Sequence, residues 1–164
     1  MKRLLTHIFL GPTLLRRYFP PSELDRITGA IAAAERRHAA EIRFCVEGAF
    51  ELGELIAKVS PRERAIEAFS ELRLWDTAHN NGVLIYLLLA DHDIEIVADR
   101  GISARVETAE WDGICRAMED GFRGGRFADT VIAGINQVST LLARHFPPSE
   151  VPRNELPNEP VVRP

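Results

Sequence analysis

Cysteine is scarce in this chain: two in 164 residues, Cys45 and Cys115, far apart and with no CxxC or Cys/His spacing. That excludes a disulfide framework and a zinc site. Both residues sit in apolar patterns, so they are expected to be reduced, buried thiols in a reducing compartment. Long hydrophobic runs are also missing. The longest, VLIYLLLA from Val83 to Ala90, is strand length, well short of the roughly 20 residues a membrane span needs. No HExxH, GxSxG or GxGxxG occurs, so no common catalytic signature marks an enzyme. There is no basic excess either; the net charge of −4 argues against a nucleic-acid partner. What positive charge there is gathers at the start. Lys2, Arg3, Arg16 and Arg17 precede the first acid, Glu23, so the opening carries +4 and the rest −8, which gives the total of −4.

A hydrophobic content of 46% and a charged content of 27% are ordinary for a soluble chain, and the length suits one domain with a core of its own. "MKRLLTHIFLG" superficially resembles a signal peptide, but Thr6 and His7 interrupt a short apolar stretch and no A-x-A-like site follows. With Pro12 and Arg16-Arg17 beyond it, residues 1–18 read as a basic amphipathic arm. Such an arm lies on an anionic membrane surface, docks on a partner, or packs on its own domain.

FPPSE occurs twice, at Phe19 and at Phe146. After the first copy Ser22 can cap a helix carrying Leu24, Ile27, Ile31 and Ala34. After the second there is no apolar period, and six of the ten prolines lie from Pro147 onward. Residues 147–164 are therefore expected to be a Pro-rich disordered tail. Between them, EIRFCVE (Glu41 to Glu47) alternates like a half-buried strand. Ser60-Pro61-Arg62-Glu63 is a full helix-start signature for a helix with Ala65, Ile66, Phe69 and Leu72 inward. Val83 to Ala90 is apolar throughout, so it belongs at the centre of a sheet covered on both faces. Ile94 to Ala98 returns as the second arm of a hairpin. Thr108 can cap a helix with Trp111, Ile114, Cys115, Met118 and Phe122, and a last helix buries Phe127, Val131, Ile135, Val138 and Leu142. The order α-β-α-β-β-α-α predicts an α/β fold: a three-layer α/β/α sandwich around a small mixed β-sheet containing a β-hairpin.

The hairpin LLLADHDIEIVADRG concentrates the titratable groups. Alternation puts Ile94, Ile96 and Ala98 on one face and Asp93, Glu95 and Asp99 on the other, with Asp91 in reach across the turn. Asp91, Asp93 and Asp99 are thus candidate metal ligands for a hard cation such as calcium, which takes six to eight oxygens. Against this, Asp91 and Asp93 favour the turn chemically, and Glu95 and Asp99 guard an edge strand against pairing. The D-x-D-x-E spacing is not an EF-hand loop, since Ile96 stands where glycine is required. His92 at the turn tip is a candidate general base with nothing to orient it. His79 reads as helix-end punctuation, and Cys45 would be a nucleophile only with His79 beside it. GFRGG (Gly121 to Gly125) lacks the Lys-Ser/Thr of a phosphate loop and reads as a helix stop and restart.

NNGVLIYLLLADHDIEIVADRGI resembles the central segment of TPM-domain proteins: an Asn-Gly turn, an apolar strand, an acidic turn and a charged strand closing on glycine. FRGGRFADTVIAGINQVSTLL is similar to that family's closing helix, and EIRFCVE stands where the family has its first strand. The resemblance covers Ser22 to Phe146, so residues 19–146 are taken as a TPM-like α/β domain. It implies an α/β/α fold; some members bind calcium through acidic loops, and a plant branch is associated with photosystem II repair and a proposed phosphatase activity. Bacterial members often accompany LemA-type membrane proteins. Typical members carry a signal peptide and often a membrane anchor, neither of which is expected here. RRYFPPSE replaces the family's acidic motif before the first helix, and Ala98-Asp99-Arg100-Gly101 replaces its aromatic-glycine pattern. The leading functional expectation is a non-catalytic, cytoplasmic interaction module with an unidentified, membrane-associated protein partner and no cofactor. The alternative is a divalent-cation-dependent phosphatase-like enzyme that uses Asp91, Asp93 and Asp99 with calcium.

Overall fold

The computed structural model describes residue 7, residues 12–148 and residues 154–164. Residues 12–18 are helical and lead into α1 (Pro21–Glu35), whose cap is Pro20 rather than Ser22. Then come β1 (Glu41–Glu47), α2 (Leu52–Ala57), α3 (Pro61–Glu71), β2 (Gly82–Leu88) and β3 (Asp93–Ala98). The chain continues through α4 (Arg100–Ser103), α5 (Thr108–Arg123), α6 (Phe127–His145) and β4 (Val161–Arg163). The strong start signal of α3 is realised in full: the Ser60 side chain accepts from the Glu63 N–H, and Glu63 answers on the Ser60 N–H. For α5 the same box is built one residue earlier than expected, from Glu107 and Glu110.

The sheet runs β3-β2-β1-β4, with β1 parallel to β2 and β4 and the β2–β3 hairpin antiparallel. Ile42, Phe44 and Val46 of β1 and Val83, Ile85 and Leu87 of β2 face the main core, packed under α1, α5 and α6. Cys45, Leu84, Tyr86 and Leu88 face a smaller core under α3, with Phe50, Phe69 and Leu74. Helices therefore cover both faces, and the α/β/α sandwich stands. Ile66 departs from expectation: it lies 48% exposed on α3, while Ala65, Ala68 and Phe69 take the inward stripe.

The second departure is β1. Its alternation suggests one wet face, yet all seven residues are buried, with Glu41 at 3%, Arg43 at 7% and Glu47 at 5% exposure. The third departure explains part of it. The C-terminal residues expected to be disordered form a strap along the edge of β1, ending in β4 (residues 149–153 of that expectation lie outside the described residues). Leu156 is buried in the smaller core. Glu41 accepts the Leu156 N–H at 3.1 Å, Arg43 donates to the Pro157 carbonyl, Glu155 accepts the Ala78 N–H at 2.9 Å, and Arg163 meets Glu71 at 2.7 Å. Proline is compatible with this because of where it falls. Val161 and Arg163 turn their backbone groups toward β1, as the Gly48 N–H to Arg163 carbonyl bond records. Pro160 and Pro164 share the outward parity of Val162, where a missing N–H costs nothing and closes the open edge.

Ahead of β4, the Glu35 carboxylate fills the first rung of β1's edge by accepting the Ile42 N–H at 2.8 Å. Burial pushes Glu35 up to about 7, with neighbouring Glu41 adding to the shift. Glu41 is raised for the same reason, burial. A group raised in the fold contributes stability that is present below its unfolded value and lost as pH rises through its folded value. Stability from Glu35 should therefore fall between about pH 4.5 and about pH 7. Glu35→Gln keeps the acceptor without the charge; it should flatten that slope and melt above the wild type at about pH 8, by roughly 1–3 kcal/mol. Denaturant melts across that range read both. Two glycines give an opposed pair. A Cβ at Gly82 would collide with the Leu74 carbonyl, whereas at Gly29 in α1 nothing lies within 4 Å. Gly82→Ala should cost roughly 1–3 kcal/mol, and Gly29→Ala should add about 0.5–1 kcal/mol, in the same melts.

Candidate functional site

The hairpin acids fall at two ends of one strand. Asp93 opens β3 opposite Leu88, and Asp91 sits in the preceding turn. Asp99 follows the last residue of β3, where its side chain caps α4 by accepting the Arg100 N–H at 2.7 Å. Six residues of strand at roughly 3.3 Å each separate Asp93 from Asp99 by about 20 Å. The expectation that Asp91, Asp93 and Asp99 share one site is therefore corrected: only Asp91 and Asp93 stand at the same end. Glu95, on the same face as Asp93, meets Arg62 at 3.2 Å. Among the described residues no three His, Cys, Asp or Glu side chains converge as a metal-holding group.

Asp91 instead joins the N-terminal arm. His7 is buried where the chain leaves β1 and β2, at the carboxyl ends of the two parallel strands. Its Nδ1 accepts the Phe50 N–H at 2.8 Å, and its Nε2 lies 3.1 Å from Asp91 Oδ1. Because Nδ1 is an acceptor, the proton is on Nε2, which donates to the carboxylate. This resembles a catalytic Asp–His pair, but both ring nitrogens are committed and the side chain has no exposure, so no lone pair is left for a substrate proton. The pair is a clasp. Of the arm, Leu15 also reaches the main core, as does Phe19 just beyond it, while Leu4, Leu5, Ile8 and Phe9 lie outside the described residues. His92 does have an orienting neighbour, contrary to expectation: its ring stands edge-on to Phe127 at 5.1 Å. Its backbone is left-handed at φ 55°, and burial lowers its pKa despite Asp91.

A second polar assembly escaped the sequence reading. On the α3 side of the sheet, the Tyr86 hydroxyl donates to Glu47 at 2.8 Å, and Arg64 Nε donates to the same carboxylate at 3.0 and 3.2 Å. Arg64 also reaches Glu67 at 2.7 Å and Glu54 at 3.4 Å. Burial works against the Arg64 charge, but its bonds to Glu47 and Glu67 outweigh that and raise its pKa. Burial, and then the Glu47 charge, raise the Tyr86 pKa. The only sequence signal was a run of charges at alternate positions of EIRFCVE beside a wholly apolar strand. Cys45 in this core is pushed up to about 12 by burial and pairs with Tyr86, four positions into β2, whereas His79 lies three residues before that strand begins, so it has no nucleophile's setting. Burial likewise holds the Cys115 thiol up to about 12. GFRGG is a helix stop and restart, with Gly125 at φ +75° between α5 and α6.

Two surface features remain. A shallow groove of about 460 Å³ lies between α5 and α6, with Ile114, Leu141, Glu110 and Arg144 on it, at the end of α6 away from the hairpin. Helix α2 is the other: it buries none of its residues, and Leu52 and Ile56, one turn apart, are 53% and 74% exposed. It follows β1 directly, beside the Phe50–His7 contact. No helix among the described residues is long and apolar enough to cross a membrane.

A family model described as the TPM domain matches residues 15–141. Among solved structures, the chain is similar to the BA42 protein from the psychrophilic bacterium Bizionia argentinensis, at 31% identity and a TM-score of 0.76, over 86% of this chain and 92% of that one. The N-terminal domain of a protein from P. gingivalis aligns at 16% identity and TM-score 0.63, over 79% of each chain. The N-terminal domain of the cg2496 protein from Corynebacterium glutamicum aligns at 15% identity and TM-score 0.58, over 82% and 81%. These last two show likeness of fold alone. No curated protein matches the chain.

The separation of Asp99 from Asp91 and Asp93 makes a direct forecast. A cation that binds only the folded state raises its melting temperature by mass action. Thermal melts of the wild type with calcium up to about millimolar levels should stay unshifted, and Asp93→Ala should show the same indifference. A calcium-dependent rise that Asp93→Ala removes would restore the metal reading.

Proposed function

From the premise that the chain belongs to the TPM-domain family, we propose that it is a non-catalytic interaction module. Its contact surface is α2, the helix at the carboxyl end of β1. The observation that carries this reading is the pair Leu52 and Ile56, large apolar side chains left in water on a helix that touches the smaller core only through half-buried Leu55. Two anchors one helical turn apart are how an amphipathic helix is read by a partner's apolar groove. The partner is accordingly a protein presenting such a groove, and the expected setting is a membrane-associated complex met from the cytoplasm. Both cysteines being free thiols supports a reducing compartment. The polar assemblies favour the same reading over chemistry: buried His7, Glu47 and Tyr86 make their hydrogen bonds to Asp91, to Arg64, to one another and to backbone.

Leu52→Ser with Ile56→Ser should leave the melt within about 0.5 kcal/mol of the wild type, since surface positions contribute little to stability. A photo-cross-linking residue at position 56, used in cells, should trap one discrete protein adduct that a control at exposed Glu67 does not, and Leu52→Ser should weaken it. Equal labelling from both positions would sink the assignment of α2. Turnover of p-nitrophenyl phosphate with magnesium or calcium, lost in Asp93→Ala, would replace the module by an enzyme.

A further inference from the structure

β3 and β4 form the two outer edges of this sheet, and β4 in turn closes the edge of β1. On the outer side of β3, Arg62 donates to the Ile96 carbonyl at 2.6 Å, and the Ile96 N–H reaches the Cys115 sulfur. That edge is blocked by side chains from both helical layers. On the outer side of β4, Pro160 and Pro164 leave Val162 as the one residue with a backbone N–H facing outward, so strand addition there is blocked as well. The edge of β1 is different. It is seven residues long, and beyond the Glu35 carboxylate on the Ile42 N–H what closes it is the strap.

The strap is fastened mainly by polar groups. Three residues of β4 pair with β1, Leu156 enters the smaller core, and half-buried Val161 packs against it. The other fastenings are charged groups: Glu41 on the Leu156 N–H, Arg43 on the Pro157 carbonyl, Glu155 on the Ala78 N–H and Arg163 against Glu71. Their fit is incomplete. Arg43 Nε and Asn158 Oδ1 are buried in this groove without a hydrogen-bond partner among the described residues. Two carboxylates, Glu35 and Glu41, lie beneath the strap and repel each other. Elements with few buried apolar contacts open without the rest of the fold.

We propose that residues 154–164 are an exchangeable strap, which leaves the edge of β1 and docks on the same edge of a second copy of the chain to give a strand-exchanged dimer. The occupant follows from the contacts. Every one named above is made to residues 155–163, so the strap of a second copy satisfies them identically, and reciprocal exchange closes with two-fold symmetry. This surface is separate from α2, so the two stand or fall independently. Exchange competes with a tethered strap whose effective concentration is on the order of millimolar; the dimer therefore belongs to high protein concentration. Cis and exchanged forms bury the same groups. The groups facing Glu35 are Glu41 and Arg43 from β1 and the Asn158 amide from the strap, while Glu159 of the strap and Glu35 both act on Arg43. Loss of the Glu35 and Glu41 protons speeds opening without changing which form wins.

Sedimentation velocity of the full chain, from micromolar to about millimolar, tests this. A dimer fraction that rises with concentration is expected, reached faster at about pH 8 than at about pH 5.5. Leu156→Asp, which empties the apolar anchor, should abolish the dimer. Cys45 and Val161 are opposite one another in the β1–β4 register, so oxidised Val161→Cys should give a covalent dimer at high concentration, with peptide mapping linking position 45 of one chain to position 161 of the other. A monomer at every concentration overturns the proposal. So does a dimer that persists in folded Leu156→Asp, or a 45–161 link found only within single chains when dimer is present. If Leu156→Asp fails to fold, the Val161→Cys linkage decides alone between the chains.

Discussion

Burying a strand pair on both faces is the constraint from which the rest of this structure follows. β2 meets it simply, the Tyr86 hydroxyl being its one polar side-chain group. β1 cannot, because Glu41, Arg43 and Glu47 alternate with its apolar residues and are buried with them. A buried charge must be paired or bound to backbone. Glu47 accordingly holds Arg64 of α3 and the Tyr86 hydroxyl, while Glu41 and Arg43 hold the strap. The position of α3, the course of the C-terminal residues and the raised Glu35 and Glu41 carboxyls are all consequences of the polar face of one seven-residue strand.

Much of the architecture was legible because its signals were local and periodic. The capping box at Ser60, the unbroken apolar run of β2, the hairpin and the stripe of α6 each carry their own physical mark. What the sequence did not disclose depends on partners far along the chain. EIRFCVE reads as half-wet unless one knows that Leu156 and Pro157 lie over it, more than a hundred residues away in sequence. The prolines misled for a related reason. A density of proline suggests disorder, whereas its parity, with Pro160 and Pro164 on the outward rungs, is compatible with an edge strand. The candidate cation site failed on distance: strand alternation gives Asp93 and Asp99 the same face but also about 20 Å of separation.

The polar side chains most suggestive of chemistry are those with the least capacity to spare. His7 and Asp91 join the arm to the strand ends, and the Glu47 assembly joins α3 to the sheet. Both kinds of contact tie together elements distant in sequence. They make a rigid frame from which α2, with no buried residue, projects its two apolar side chains. Those two side chains are the surface on which the proposed interaction rests.

The burial of Cys45 has an experimental use. The thiol has no exposure, sits opposite Val161 across the β1–β4 boundary, and is held protonated by its surroundings. A small alkylating reagent can reach it only in molecules whose smaller core has come open. The chain thus contains its own stopwatch: the rate at which Cys45 is modified, compared with half-buried Cys115, times the opening of that core without any label being added.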